Sequence, residues 1–481
     1  MSSYVLGLLT VTIADKCHTG RSTINVLSDD VLIHIFCLHR EAVVFSLCGE
    51  SWEQHEWCAL AHVCQRWRHI IFAWPNYLDI KIGCTSRTAA VKALDVWPAL
   101  PISIHSVLHI AGTPNYRDGN GVIDVLEHRG RIAGINLSSL TGPQLEICTT
   151  FMQEPFSILR ALSLGCGAET PPVISDMFLA GSAPRLQKIK LQGIPFPTLP
   201  KFLLSTRDLV ELHLDDIPRT GYISPGVMAT SLAMLTKLQS VSINFRSRSS
   251  FPKNPTTQSP LPQTRTVLPA LTEFFFCGIS KYLEDFMTRI RAPRLDHIHL
   301  YFFYQPAVGI PQLPQIIHRS KKFKTPREAD IVFHENSVHI AFSSEWPIFG
   351  YLHLEFERDG LDRQLSLLEQ VLSQCFSLLS HVVTLEIHDR HHDMQPDQDS
   401  TLWLAFLQPF NAVDSLCLFD RHLLLQIARA LGELTEERAA EVLPMLSAMK
   451  WFGCDWDEVE PWVTPLLQPF IDAHKYHVEV P

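Results

Sequence analysis

The sequence predicts an α/β protein in which a small helical segment near the N-terminus is followed by an irregular solenoid of stacked strand-and-return units. Three observations carry that expectation. Apolar residues recur at helical spacing between Ile24 and Ile82. Beyond them a six-residue pattern, apolar-x-x-apolar-x-apolar, recurs in order along most of the chain. Finally, 481 residues with 46% hydrophobic content exceed what one compact core ordinarily holds, so two domains or an elongated array are expected.

In the helical segment, Ser28 is placed as an N-cap, because its hydroxyl can accept an orphan backbone N–H of the first turn. Asp29 and Asp30 then set negative charge at the positive end of the helix dipole. Val31, Leu32, Ile35 and Phe36 follow at helical spacing, and Leu60, Val63, Cys64, Trp67, Ile70 and Ile71 repeat that spacing further on. Two or three short amphipathic helices sharing one small core follow from this.

The recurring pattern appears at Ile132-Ile135-Leu137, Leu159-Leu162-Leu164, Leu186-Ile189-Leu191, Leu209-Leu212-Leu214, Leu238-Val241-Ile243, Leu271-Phe274-Phe276 and Leu295-Ile298-Leu300. Its spacing of 23 to 33 residues brackets the leucine-rich-repeat period, in which each unit supplies a strand and a returning segment and stacking buries what one unit leaves exposed. The intervals are uneven, and the asparagine or cysteine of regular repeats is mostly missing. The pattern lapses after Tyr301 and resumes at Val382-Leu385-Ile387, Val413-Leu416-Leu418 and Leu446-Met449-Trp451. Within the lapse, Asp330–Phe333 and Val338–Phe342 alternate around a four-residue turn and predict a hairpin, Leu352–Phe356 predicts a third strand, and Leu361 to Leu379 a helix. The expected organisation is therefore a tail over 1–23, a helical domain over 24–82, a solenoid over 83–300, an insertion with a hairpin over 301–350 and a continuation over 351–481. Pro252, Pro255, Pro260 and Pro262 mark a long loop inside the array.

The helical segment resembles an F-box, in particular the F-box-like domain common in large protein families of mushroom-forming fungi. The resemblance lies in Leu27-x-x-Asp30-Val31-Leu32-x-x-Ile35-Phe36, in Val63-Cys64-Gln65-x-Trp67-Arg68-x-Ile70-Ile71, in Pro75-Asn76-Tyr77-Leu78-Asp79-Ile80 and in Trp97-Pro98-Ala99-Leu100-Pro101-Ile102. Ser28 stands where many F-boxes have proline, and the spacer from Leu38 to Trp57 is longer than the family's. What the resemblance implies is an adaptor without chemistry of its own. In that family the F-box docks a Skp-type protein, and through it a cullin, of an SCF ubiquitin ligase, while the remainder holds the protein substrate. Leu27, Val31, Leu32, Ile35, Phe36, Val63 and Trp67 are the matching adaptor-binding residues. The alternative is a leucine-rich-repeat-like interaction scaffold without a ligase role, its helices merely capping the array.

Period two within each strand sends the residues beside the core positions to the open face of the sheet. The later strands bring Phe275, His297, His299 and Tyr301 to that face, the expected substrate-binding patch. Catalytic motifs are lacking: no Gly-x-x-x-x-Gly-Lys-Ser/Thr, Gly-x-Ser-x-Gly or His-Glu-x-x-His occurs. The run His388-Asp389-Arg390-His391-His392-Asp393 has zinc-binding side chains but lies in a polar stretch, where it reads as solvated loop; neither metal nor cofactor is expected. A net charge of −10 argues against nucleic acid as partner. No run approaches the roughly 20 apolar residues a membrane span needs, and Val5 to Ile13 lacks the flanks of a signal peptide. Twelve scattered cysteines without a Cys-x-x-Cys pair fit a reducing cytoplasm or nucleus.

Overall fold

The computed structural model describes residues 26–46, 56–74, 82–84, 101–105, 123, 125–252, 265–305, 308–319, 325–343, 351–390, 400–434, 438, 441–452 and 456–473. The tail over 1–23, the Pro75–Ile80 and Trp97–Leu100 parts of the F-box resemblance, the loop from Pro255 to Pro262 and the His391–Asp393 run lie outside them. The chain divides into two compact units, 1–164 and 165–481. Among the described residues, no helix is long and apolar enough to cross a membrane.

The first unit opens with helices Asp29–Ser46, Glu56–Val63 and Gln65–Ala73. The Val31 N–H donates to Ser28 Oγ at 3.5 Å, and Asp29 and Asp30 occupy the first turn, as the capping pattern predicts. Cys64 breaks what the sequence suggests is one helical segment. Its backbone is extended, and its Sγ accepts the Trp67 N–H at 3.5 Å, so the thiol caps a new helix. The stretch expected as a spacer from Leu38 begins as helix, because the first helix runs on to Ser46. Strands Ile82–Cys84, Ile102–His105 and Ile132–Leu140 then pair in parallel, in that order.

In the second unit the apolar pattern becomes strands Lys188–Gln192, Glu211–Ile217, Ser240–Phe245, Glu273–Gly278 and His297–Phe302, each pairing in parallel with the next. Burial alternates as period two demands: Leu212, Phe274, Phe276, Ile298 and Leu300 are buried, while their sequence neighbours Glu211, Phe275, His297 and His299 are half-exposed. A bulge interrupts the alternation where the register shifts between Leu214 and Ile217 and Asp216 takes a φ of 55°. Helices Pro225–Ser231, Ser280–Arg289, Leu361–Gln374, Ser400–Leu407 and Arg421–Gly432 return the chain between strands, and Trp456–Ala473 follows the last described strand. The last two pack so closely at Gly432 that a Cβ there would be driven into the Leu466 carbonyl.

The described strands of residues 301–350 join the sheet. Strand Tyr351–Glu357 pairs in parallel with His297–Phe302 and so supplies the next rung of the array. The predicted hairpin, Glu328–Phe333 and Ser337–Ser343, lies beyond it with two antiparallel pairings. Its first strand then pairs in parallel with Thr384–Asp389, after which Ser415–Leu418 and Ala448–Trp451 continue the ladder. The insertion thus widens the sheet in its own plane. Ala329, Ile331, Phe333, Val338 and Ile340 are buried because they continue the core side of the neighbouring strands.

Candidate functional site

In the helical segment, the residues singled out for partner binding divide into two groups. Leu32 and Phe36 are buried, and the Phe36 ring meets the edge of Trp67 at 4.8 Å between centroids. Ile33, Ala61, Ile70 and Ile71 complete this small core. Leu27 and Trp67 are half-exposed, whereas Val31, Ile35 and Val63 remain 44%, 41% and 56% exposed. Leu38, 52% exposed and seven residues after Val31, extends the same stripe; it was missed because the helix was expected to end near it. Arg66 fixes the helix start, donating to Asp29 Oδ1 at 2.6 Å and to the Leu27 carbonyl at 2.5 Å.

In the second unit, parallel register turns the open face into a row that crosses many strands. It reads Lys190, His213, Ser242, Phe275, His299, His353, Ala341, Asp330, Glu386 and Cys417. Phe275 stacks on His299 with centroids 4.8 Å apart, and His353 lies 5.3 Å from His299 and 5.0 Å from His339. Tyr301 donates to Glu357 Oε1 at 2.8 Å, and the backbone N–H of Tyr304 binds the other oxygen at 2.9 Å. His297 is turned aside to Asp296 at 2.8 Å. All four residues expected as the substrate patch therefore share the open face and are half-buried by their strand neighbours. Within 302–350, strands Glu328–Phe333 and Ser337–Ser343 pair farther along the sheet, while Phe303 meets the edge of the Tyr301 ring with centroids 6.1 Å apart.

Electrostatics sets the character of this strip. Burial, and after it neighbouring imidazoles, pushes His353 and His339 down to about 4, and burial likewise lowers His299. The histidines are neutral at pH 7 and offer both donor and acceptor nitrogens. Burial and the accepted carboxylate bond hold the Tyr301 phenol above its ordinary range, so it stays a donor. Further along, burial raises the Asp330 and Glu386 carboxyls, Glu386 also through Asp330, and lowers His388. His388 stacks on Phe419 at 3.9 Å, and Phe419 on Phe452 at 4.6 Å.

Farther toward the start of the unit the face is different. Lys188 pairs with Glu211 at 2.7 Å, and Asp215 accepts from Ser242 and Asn244 at 3.1 and 2.8 Å. Ser242 is buried although it stands at an outward position, because its hydroxyl sits inside this side-chain network, accepting from Asn244 at 2.9 Å. His353, His339, Glu355 and Glu357 were not named from sequence, although applying period two to the predicted hairpin and third strand yields them.

No family model matches the chain, and no curated protein matches its sequence. Among solved structures, it is similar to a leucine-rich-repeat-containing protein, LegL7 of Legionella pneumophila, with 10% identity and a TM-score of 0.24 over 71% of this chain and 98% of that one. The class defined by the strands themselves is a mixed α/β protein with a long, mainly parallel sheet.

Proposed function

We propose that the protein is a non-catalytic binding adaptor whose helical segment docks a Skp-type subunit of a cullin-RING ubiquitin ligase and whose sheet face holds a protein substrate. The observation that carries this reading is the surplus apolar surface of helix Asp29–Ser46. It satisfies its own core with Leu32, Ile33 and Phe36 yet keeps Val31, Ile35 and Leu38 exposed. Apolar residues at successive turns on a wet helix face mark an interface more than a free surface. The motif match at the same residues selects the kind of partner. An adaptor acts through proximity, raising the effective concentration of substrate lysines near a charged conjugating enzyme, so it needs no active site.

On this reading Phe275, His299 and Tyr301 are substrate contacts, since aromatic anchors carry a large share of interface energy. The test is direct binding of the purified full chain to a purified Skp-type protein. Ile35→Glu and Val31→Glu should each weaken binding at least tenfold while leaving the melting temperature unchanged. A folded wild-type chain that does not bind the Skp-type protein overturns the ligase role and leaves an interaction scaffold. Alanine at Phe275, His299 and Tyr301 should lower retention of affinity-purified substrates without touching adaptor binding.

A further inference from the structure

We propose that Asp330, Glu386 and His388 form a binding site for one divalent transition-metal ion of the zinc type. This inference stands independently of the adaptor reading. The three side chains come from adjacent strands: Asp330 from Glu328–Phe333, Glu386 and His388 from Thr384–Asp389, with Asp330 opposite Glu386 in the parallel register. Because Glu386 and His388 are two apart, both stand on the open face, where the diagonal reach of His388 completes a triangle with the two carboxylates.

The spacing fits an ion. One ligand atom from each residue lies within 4.8 Å of the others. His388 Nε2 is 3.3 Å from Asp330 Oδ1 and 3.9 Å from Glu386 Oε2. Ligands bonded at about 2.0–2.2 Å in a tetrahedron stand roughly 3.3–3.6 Å apart, so small side-chain rotations bring all three into range. His388 presents Nε2 to the carboxylates, and the stacked Phe419 ring holds the imidazole in that plane.

Asp330 Oδ1 is closed off from water and makes no well-formed hydrogen bond, its neighbour being His388 Nε2 at 3.3 Å, although a buried carboxylate oxygen ordinarily has a donor. The donor set, one imidazole and two carboxylates, suits zinc or manganese more than calcium or copper(I). Three protein ligands leave a fourth position for water or for a side chain of a bound partner, the arrangement of open rather than purely structural zinc sites. The sequence reads the run His388–Asp393 as solvated loop with no metal expected; the structure sets its first residue, His388, beside two strand carboxylates, and His391–Asp393 lie outside the described residues.

The test uses the full chain and cobalt(II), whose visible absorption reports coordination, with zinc competition as the second readout. The expected result is one bound cobalt per chain, displaced by zinc, with a raised melting temperature. Asp330→Asn, Glu386→Gln and His388→Gln should each weaken binding at least tenfold, whereas the double variant His391→Ala/His392→Ala should not. These positions are half-exposed and the replacements nearly isosteric, and melting in the absence of metal identifies any variant that unfolds, in which case the other two decide. The proposal is overturned by a wild-type chain that binds no cobalt, by binding that survives the strand substitutions, or by binding lost only in the His391/His392 variant.

Discussion

The helical segment and the strand array treat apolar side chains in opposite ways. In the array the apolar residue at every core position is buried, from Leu212 to Met449, and what remains outward is mostly polar or aromatic. In helix Asp29–Ser46 the apolar arc is wider than the side it buries, so Leu32 and Phe36 are core while Val31, Ile35 and Leu38 face solvent. A strand has two faces and its pattern assigns each residue to one of them. A helix has a continuous circumference, and a broad apolar arc serves two contacts at once.

The largest expected effects test that contrast through stability. Phe276→Ala in the array should cost about 3–5 kcal/mol and Leu32→Ala in the helix about 2–5 kcal/mol, each removing a fully packed side chain. Ile35→Ala, one residue from the core position Phe36, should change stability by less than about 0.5 kcal/mol. Chemical denaturation of the three variants checks this. A loss at Ile35 as large as that at Leu32 would show that the stripe is packed in solution and would erase the distinction.

That difference also explains what the sequence could and could not say. Ten repeats of the apolar pattern became strands because position alone decides burial at period two, and the hairpin of 328–343 was legible for the same reason. The aromatic and histidine strip of the open face was legible only in part. Phe275, His299 and Tyr301 were found within one repeat run, but their neighbours His353 and His339 come from strands some fifty residues on, brought alongside by pairings that no local pattern encodes. The capping role of Cys64 escaped because thiols rarely serve as caps. The division of the helix face into core and stripe escaped because spacing gives the width of an arc and not which part of it is covered.

A second, smaller effect concerns pH and sharpens the description of the open face. His339 and His353 are held near 4 in the folded chain against 6.5 when unfolded. Between those values the unfolded chain binds protons that the folded chain refuses, so their contribution is complete above about pH 6.5 and is lost as pH falls toward 4. Glu284 works in the opposite sense. Burial raises it from 4.5 to about 7, opposed by the hydrogen bond from the Gln312 backbone N–H, so its contribution is complete below pH 4.5 and is lost as pH rises through 7. His353→Gln should therefore flatten the acid-side loss of stability, and Glu284→Gln should steepen it. Each change is on the order of 1 kcal/mol once solvent screening at these half-exposed groups is allowed for. Melting temperatures between pH 4.5 and 7.5 give the slopes; equal slopes in wild type and His353→Gln would show that the imidazole is not shielded by its strand neighbours.

The smallest expected effect returns to the helical segment. Arg66 and Asp29 join helix Gln65–Ala73 to the start of Asp29–Ser46 at 2.6 Å, but the pair is well exposed, with side-chain exposures of 33% and 60%. Water and salt screen such a pair, and fixing two long side chains opposes the attraction, so a double-mutant cycle with Asp29→Asn and Arg66→Gln should give a coupling below about 1 kcal/mol. It should shrink further in 1 M salt, where the screening length falls to about 3 Å. The guanidinium also donates to the Leu27 carbonyl, and Arg66→Gln loses that bond while Asp29→Asn keeps it. The arginine substitution should therefore cost more than the aspartate one, and only the ionic share should respond to salt. A coupling above 2 kcal/mol that salt leaves unchanged would mean that the pair is desolvated, that the helices meet more tightly than their exposed flanks suggest, and that the stripe beside them is narrower than proposed.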